Sequence, residues 1–237
     1  MKQPDAESDT GDFEFKALAE ARNYRRTMVA EFAPFLKGRI LEVGAGIGQT
    51  SEEILSLANV DSLTGVEPDA RFHQRFRERL PGVRLLGGTT ADLDKGDPFD
   101  GAVMVNVLEH IGDDEDELAR LREILAIREG HLCLLVPARQ EIYSRIDAHF
   151  GHFRRYSRSE LRRKLETAGF QIKHLSYFNF VGYFAWALRF RLLGSLSFDI
   201  DQVRFFDRRI FPAVHWLESR ICRPPIGQSV IAVAQSR

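Results

Sequence analysis

Strands and helices alternate along most of this 237-residue chain. That alternation predicts an α/β fold of the doubly wound, Rossmann-like kind, with a seven-stranded, mostly parallel sheet whose last strand is antiparallel. Three observations carry the prediction. Ile40 to Thr50 reads I-L-E-V-G-A-G-I-G-Q-T, an apolar strand entering a glycine turn and then a helix. Phe99 to Val107, F-D-G-A-V-M-V-N-V, is a continuous apolar run, as expected of a strand buried on both faces of a parallel sheet. Glu42, Glu67, Asp92, Asn106, Glu109, His110 and Pro137 all fall at the carboxyl ends of apolar runs, where such sheets bind ligands.

In chain order, residues 1–12 are polar and acidic, read as a disordered tail without a signal peptide, and are followed by one domain over 13–237. Phe13 to Leu36 reads as a helix carrying Asn23, Tyr24, Arg25 and Arg26. Arg39 to Val43 is the first strand, Gln49 to Ala58 a helix, and Leu63 to Val66 the second strand. Ala70 to Leu80 is an arginine-rich amphipathic helix, ended by Pro81-Gly82, and Val83 to Leu86 is a short third strand. Asp113 to Arg128 is a helix with acids in its first turn and an apolar stripe at Leu118, Leu121, Ile124 and Leu125. His131 to Val136 is the fifth strand, Ser157 to Gly169 a helix, Phe170 to Leu175 the sixth strand, and Gln228 to Ala234 the last. Between the last two lies an aromatic-rich helical insertion, 177–226, too long for an ordinary connection and so expected to be a lid or an interface.

Lys and Arg number 33 and Asp and Glu 34, a net charge of −1, so nothing demands a basic nucleic-acid face and no nucleic-acid partner is expected. Cys133 and Cys222 have neither metal-ligand spacing nor a disulfide framework, which points to a reducing cytoplasm. Leu175 to Phe198 is the most hydrophobic segment, but Arg189 and Arg191 interrupt it below the length of a membrane span. It reads as a lid over an apolar substrate pocket or a homodimer interface, ahead of a peripheral contact with a membrane.

The glycine spacing separates two cofactor classes. A dinucleotide fingerprint, G-x-G-x-x-G, requires glycine at position 49, which is Gln49, while the third glycine is Gly48. Glu42 would repel a pyrophosphate and attract an ammonium group. S-adenosylmethionine (SAM), with an amino group, a sulfonium and a ribose but no phosphate, fits this pattern better than NAD. Glu67 stands where an acid takes ribose hydroxyls.

These motifs together resemble class I SAM-dependent methyltransferases. L-E-V-G-A-G-I-G-Q looks like the first family motif, V-E-P-D the second, T-A-D-L-D the third and F-D-G-A-V-M-V-N-V-L-E-H-I the fourth. The resemblance covers residues 13 to 175 and the final strand. It implies that Glu42, Gly44, Ala45, Gly46 and Gly48 hold the methionine end of SAM and that Glu67, with Pro68, takes both ribose hydroxyls. It further implies Asp92 and Leu93 at adenine, and Asn106 with Val107 below the methionine moiety. Asn23-Tyr24, G-H-F-R-R-Y-S, L-E-T-A-G-F and P-I-G-Q-S-V-I-A-V-A are similar to bacterial small-molecule methyltransferases associated with surface-glycan or lipid pathways.

Methyl transfer to oxygen or nitrogen requires removal of a proton, a task suited to neutral histidine. His110 follows the fourth strand, and His149 and His152 lie with Asp147 after the fifth. Each has an alternative structural role, in the cofactor floor or in packing. Tyr24, Arg154, Arg155 and Tyr156 are expected toward a small-molecule substrate, the arginines clamping an anionic group or forming a solvated basic turn. Glu109-His110 resembles half of the E-x-x-E-H metal site of ubiquinone-pathway and small-RNA O-methyltransferases; Asp147, His149 or His152 could complete an oxygen-and-imidazole site for Mg²⁺ or Mn²⁺, but Asn106 replaces the first acid, so no metal is expected. The rival readings are RNA or protein methylation, a SAM-binding partner without chemistry, and an NAD-dependent enzyme.

Overall fold

The computed structural model describes residues 19–94, 96–197, 199–220 and 224–236. The tail at 1–12, the start of the expected first helix and Cys222 lie outside the described residues. Helix α1 (Arg22–Phe32) leads through a short turn holding Pro34 into β1 (Gly38–Val43). Then follow α2 (Gln49–Leu55), β2 (Val60–Val66), α3 (Ala70–Arg79), β3 (Arg84–Leu86) and β4 (Gly101–Val105). The second half holds α4 (Asp114–Ala126), β5 (His131–Pro137), α5 (Arg145–His149), α6 (Arg158–Thr167), β6 (Phe170–Phe178) and β7 (Ser229–Ser236).

The seven strands form one sheet in the order β3-β2-β1-β4-β5-β7-β6. Strands β1 to β5 pair in parallel, and β7 is antiparallel to both β5 and β6. The period of two in a strand explains why the apolar runs are continuous. Along β5, Leu132, Leu134 and Val136 face Leu118, Leu121 and Leu125 of α4 and Leu161 and Leu165 of α6. The alternate residues Cys133 and Leu135 face Met28, Val29 and Phe32 of α1 and Ile54 of α2. Both sets are buried, so neither face of the strand tolerates a polar residue. Each such leucine contributes roughly 1.5–3 kcal/mol, against about 0–1 kcal/mol for a surface ion pair, so this burial sets the layering.

Several boundaries differ from the sequence reading. Strand β6 runs to Phe178, because Tyr177 and Phe178 pair with Val230 and Ser229 of β7. The expected insertion at 177 therefore begins two residues later. The fourth strand stops at Val105, where Asn106 takes a left-handed φ of 51° and turns the chain away. Within the insertion, α7 (Phe180–Trp186) starts at Asn179, whose Oδ1 accepts from Gly182 N at 3.0 Å. It continues into a π-helical turn, Ala187–Leu192. Helix α8 (Ile200–Phe205), capped by Asp199, passes through a second π turn, Phe206–Ile210, into α9 (Phe211–Arg220). Two π turns in one segment are uncommon and often accompany functional sites. Among the described residues, no helix is long and apolar enough to cross a membrane.

Candidate functional site

The site begins at the turn after β1. Gly44, Gly46 and Gly48 all have positive φ, at 72°, 53° and 81°. At Gly44 the requirement is also steric, since a Cβ would lie 2.2 Å from Val107 Cγ2. No other residue type fits there without moving β4's exit. The Gly46 amide donates to Glu67 Oε2 at 2.8 Å, and the Asp69 amide donates to Glu67 Oε1 at 2.9 Å. The glycine turn and the acid at the end of β2 are thus joined directly. Each carboxylate oxygen keeps further acceptor capacity. Burial raises the Glu67 pKa, against the pull of these two amides.

These groups border a cleft of about 400 Å³ lined by Glu42, Gly44, Ala45, Gly46, Glu67 and Pro68. Asn106, Val107, His110 and His149 complete its wall beside β4. Glu42 is 3% exposed, accepts a hydrogen bond from Ser51 Oγ, and is pushed up to about 8, first by desolvation. Gly48 is absent from the lining. Its left-handed backbone instead starts α2.

A second, larger cavity of about 640 Å³ adjoins the first. Ala21, Tyr24, Asn106 and Phe150 line both, so the two spaces meet there. Most of the second wall comes from the insertion, including Trp186, Phe190, Phe205 and Phe206, and Arg155 and His152 also line it. Tyr24 is half-buried at the meeting point, desolvation raises its hydroxyl to about 12, and that hydroxyl lies 3.2 Å from Ser229 Oγ.

The segment after β5 places the remaining candidates. Asp147 is fully buried and accepts from Arg155 Nε at 2.7 Å, Ser144 N at 2.9 Å and Ser144 Oγ at 3.0 Å. Its Oδ1 also lies 3.1 Å from His152 Nδ1. Hydrogen bonds and the Arg155 charge hold the Asp147 pKa below the ordinary range, outweighing desolvation. His110 is pushed down to about 4 by desolvation and by the nearby His152 ring, which keeps its imidazole neutral.

Arg154, Tyr156 and Asp92 sit apart from the lining of either cavity. Arg154 pairs with Asp114 at 2.8 Å and donates to Gly112 O at 2.7 Å, and it lines neither cavity. Tyr156 is fully buried and donates to Asp114 Oδ2 at 2.7 Å, so it braces α4. Asp92, expected at adenine, lies outside the lining with Leu93, and its Oδ2 accepts from Thr89 N at 2.8 Å in a local cap. Arg155 does reach the second cavity, but as a structural cation held by Asp147 and stacked 4.4 Å from the Trp186 ring. Sequence reasoning missed Met28, Phe72, Phe150, Ser229 and the specific aromatics of the insertion as lining residues. Only the insertion's aromatic richness signalled any of them.

The methyltransferase-domain family model matches residues 17–175. An uncharacterized methyltransferase of Oceanobacillus iheyensis is 25% identical over 93 residues, 39% of this chain and 43% of that protein. The chain therefore matches under half the length of that relative. Among solved structures, the Haloferax volcanii methyltransferase complex with the Trm112 activator gives a TM-score of 0.64 at 14% identity, covering 100% of this chain and 99% of that one. A Thermotoga maritima SAM-dependent methyltransferase, described as a possible histamine N-methyltransferase, gives 0.63 at 20% identity, covering 95% of each chain. At these identities the structural likenesses speak to the fold.

Proposed function

The chain belongs to the methyltransferase-domain family as a SAM-dependent enzyme, and from that premise we propose that it methylates an oxygen or nitrogen of a small molecule held under the insertion. One observation carries this reading: the cleft that holds Glu42 and Glu67 and the more apolar cavity that holds Trp186, Phe190, Phe205 and Phe206 share Tyr24, Asn106 and Phe150 in their linings. A donor and an acceptor in those two spaces would face each other across one short junction, and such positioning accounts for much of a displacement barrier.

In this reading Glu42 and the glycine turn receive the methionine end of SAM, and Glu67 receives the ribose hydroxyls. The adenine end runs toward Pro68, Asp69 and Phe72, which line the cleft beyond Glu67. The acceptor loses a proton to one of the imidazoles near the junction, His110, His149 or His152. Its lone pair forms the new bond to the methyl carbon as the sulfur–carbon bond breaks, leaving the neutral thioether S-adenosylhomocysteine. The aromatic lining favours an acceptor with a substantial apolar part, such as a lipid-linked sugar or a secondary metabolite. A cytoplasmic location, the absence of a nucleic-acid partner and a homodimer through the insertion belong to the same proposal.

The test is transfer of a labelled methyl group from SAM into a bacterial extract separated into aqueous small-molecule, lipid, RNA and protein fractions. Label in either of the first two is the expected outcome. Label confined to RNA or protein overturns the substrate class, and SAM binding without transfer to any fraction favours a non-catalytic partner.

A further inference from the structure

Glu109 and His110 lie in a tight turn, Leu108–His110, just after β4, and His152 comes from the loop after α5. The loop is tied to the turn by its backbone, since Phe153 N donates to Glu109 O at 2.8 Å. One ligating atom from each of Glu109, His110 and His152 lies within 4.8 Å of the others. The His110 and His152 rings meet edge to face, with centroids 4.6 Å apart.

His152 makes this more than a chance cluster. It is 9% exposed, and its Nδ1 is engaged by Asp147 at 3.1 Å. Its Nε2 therefore points the other way, toward Glu109, and has no hydrogen-bond partner among the described residues. The gap from Nε2 to Glu109 Oε1 is 3.9 Å, too long for a hydrogen bond. Two ligands that each bind one ion tetrahedrally at about 2.0–2.2 Å sit roughly 3.3–3.6 Å apart, so this gap has to close by only a few tenths of an ångström to hold one. A buried imidazole whose second nitrogen is oriented by a carboxylate, itself fixed by Arg155 and Ser144, is the usual support around a metal ligand. The sequence left Asp147, His149 and His152 as alternatives for completing the Glu109-His110 pair, and the loop after α5 brings His152 to it.

We propose that Glu109, His110 and His152 bind one divalent first-row transition ion at the junction of the two cavities. Two imidazoles and one carboxylate are borderline donors, which favour Mn²⁺, Co²⁺ or Zn²⁺ over Ca²⁺ or Mg²⁺. His110 lines the cleft and His152 the adjoining cavity, so the remaining coordination positions face the acceptor. The inference deepens the reading above and rests on it for the acceptor: a hydroxyl oxygen bound to the ion loses its proton to solvent more easily. Its lone pair then forms the carbon–oxygen bond as the sulfur–carbon bond breaks. His110 and His152 act here as ligands, not as bases, so of the three imidazoles only His149 stays available to take the proton in place of solvent.

The test uses the full chain, stripped with chelator and desalted, then titrated with CoCl₂. The expected result is a visible ligand-field band that saturates near one Co²⁺ per chain. Glu109→Gln, nearly isosteric, and His152→Ala should each weaken binding about tenfold or more, the usual scale for a lost ligand or its support. His149→Ala, beside the cleft but outside the cluster, should retain the band. Circular dichroism checks that each variant is folded. Absence of the band, or binding unchanged in both Glu109→Gln and His152→Ala, overturns the site. Methyl transfer undiminished in the chelator-stripped protein overturns its role in the reaction while leaving the transfer reading intact.

Discussion

At the scale of single residues, two carboxylates do different work. Glu67 is clamped by the amides of Gly46 and Asp69, so its remaining acceptor sites point into the cleft. Replacing it with Ala removes hydrogen bonds to a charged group, which should weaken SAM binding by about 1.5–3 kcal/mol. Calorimetry reads this directly, and unchanged affinity refutes the ribose assignment. Glu42 has a buried carboxyl that desolvation raises to about 8 despite the Ser51 hydrogen bond, so much of it is protonated at neutral pH. An incoming ammonium group favours the ionised form, so SAM uptake near pH 7 should release a proton. Binding heats measured in phosphate and in Tris should then differ; equal heats count against that contact. In the absence of ligand the sign is also set. A carboxyl raised in the folded state gives stability that is complete below about pH 4.5 and lost as pH climbs through about 8. Glu42→Gln should flatten that decline in a series of melting temperatures.

At the scale of elements, the insertion is tied to the first helix through Asp207. Its carboxylate accepts from the backbone amides of Asn23 at 2.9 Å and Tyr24 at 2.8 Å, while Asn23 Nδ2 donates to Asp207 O at 3.0 Å. A residue 184 positions away thus supplies the cap that α1 lacks locally, since Ala21 offers no side-chain acceptor. Asp207 is 2% exposed, so its removal leaves buried donors unmet, at about 1–3 kcal/mol. Asp207→Ala should speed hydrogen exchange in α1 and across α8 and α9 while the sheet amides keep their protection, and Asp207→Asn should recover part of the loss. Uniform exchange across all regions would refute the clasp. The Asn23-Tyr24 pair was legible in the sequence as a cluster, but its partner was not, because nothing local marks Asp207 as a cap.

At the scale of the whole molecule, donor and acceptor spaces are built by different parts of the chain. The cleft belongs to the ends of β1, β2 and β4, and the second cavity mostly to the insertion. This division predicts separable kinetics. Trp186 lines only the second cavity and stacks on Arg155, so Trp186→Leu should raise the acceptor KM about tenfold, the scale of a lost aromatic contact. SAM affinity should stay unchanged. A parallel loss of SAM binding would mean that the two spaces fold as one unit.

The sheet, its layering and the cleft's glycine turn with Glu42 and Glu67 were readable from local sequence. Each depends on a period, a backbone conformation or a spacing carried by adjacent residues. The left-handed turn at Asn106 and the diversion of Arg154 and Tyr156 to Asp114 were not readable. Those outcomes depend on which of several polar partners lies nearer, and residues 42 positions apart, as Tyr156 and Asp114 are, meet only once the strands are stacked. For Glu109, His110 and His152 the sequence offered the donor types, with Asp147 and His149 as alternatives to His152, and only packing selects among them. Short-range chemistry survives in the order of residues, whereas competition between distant partners is decided by packing.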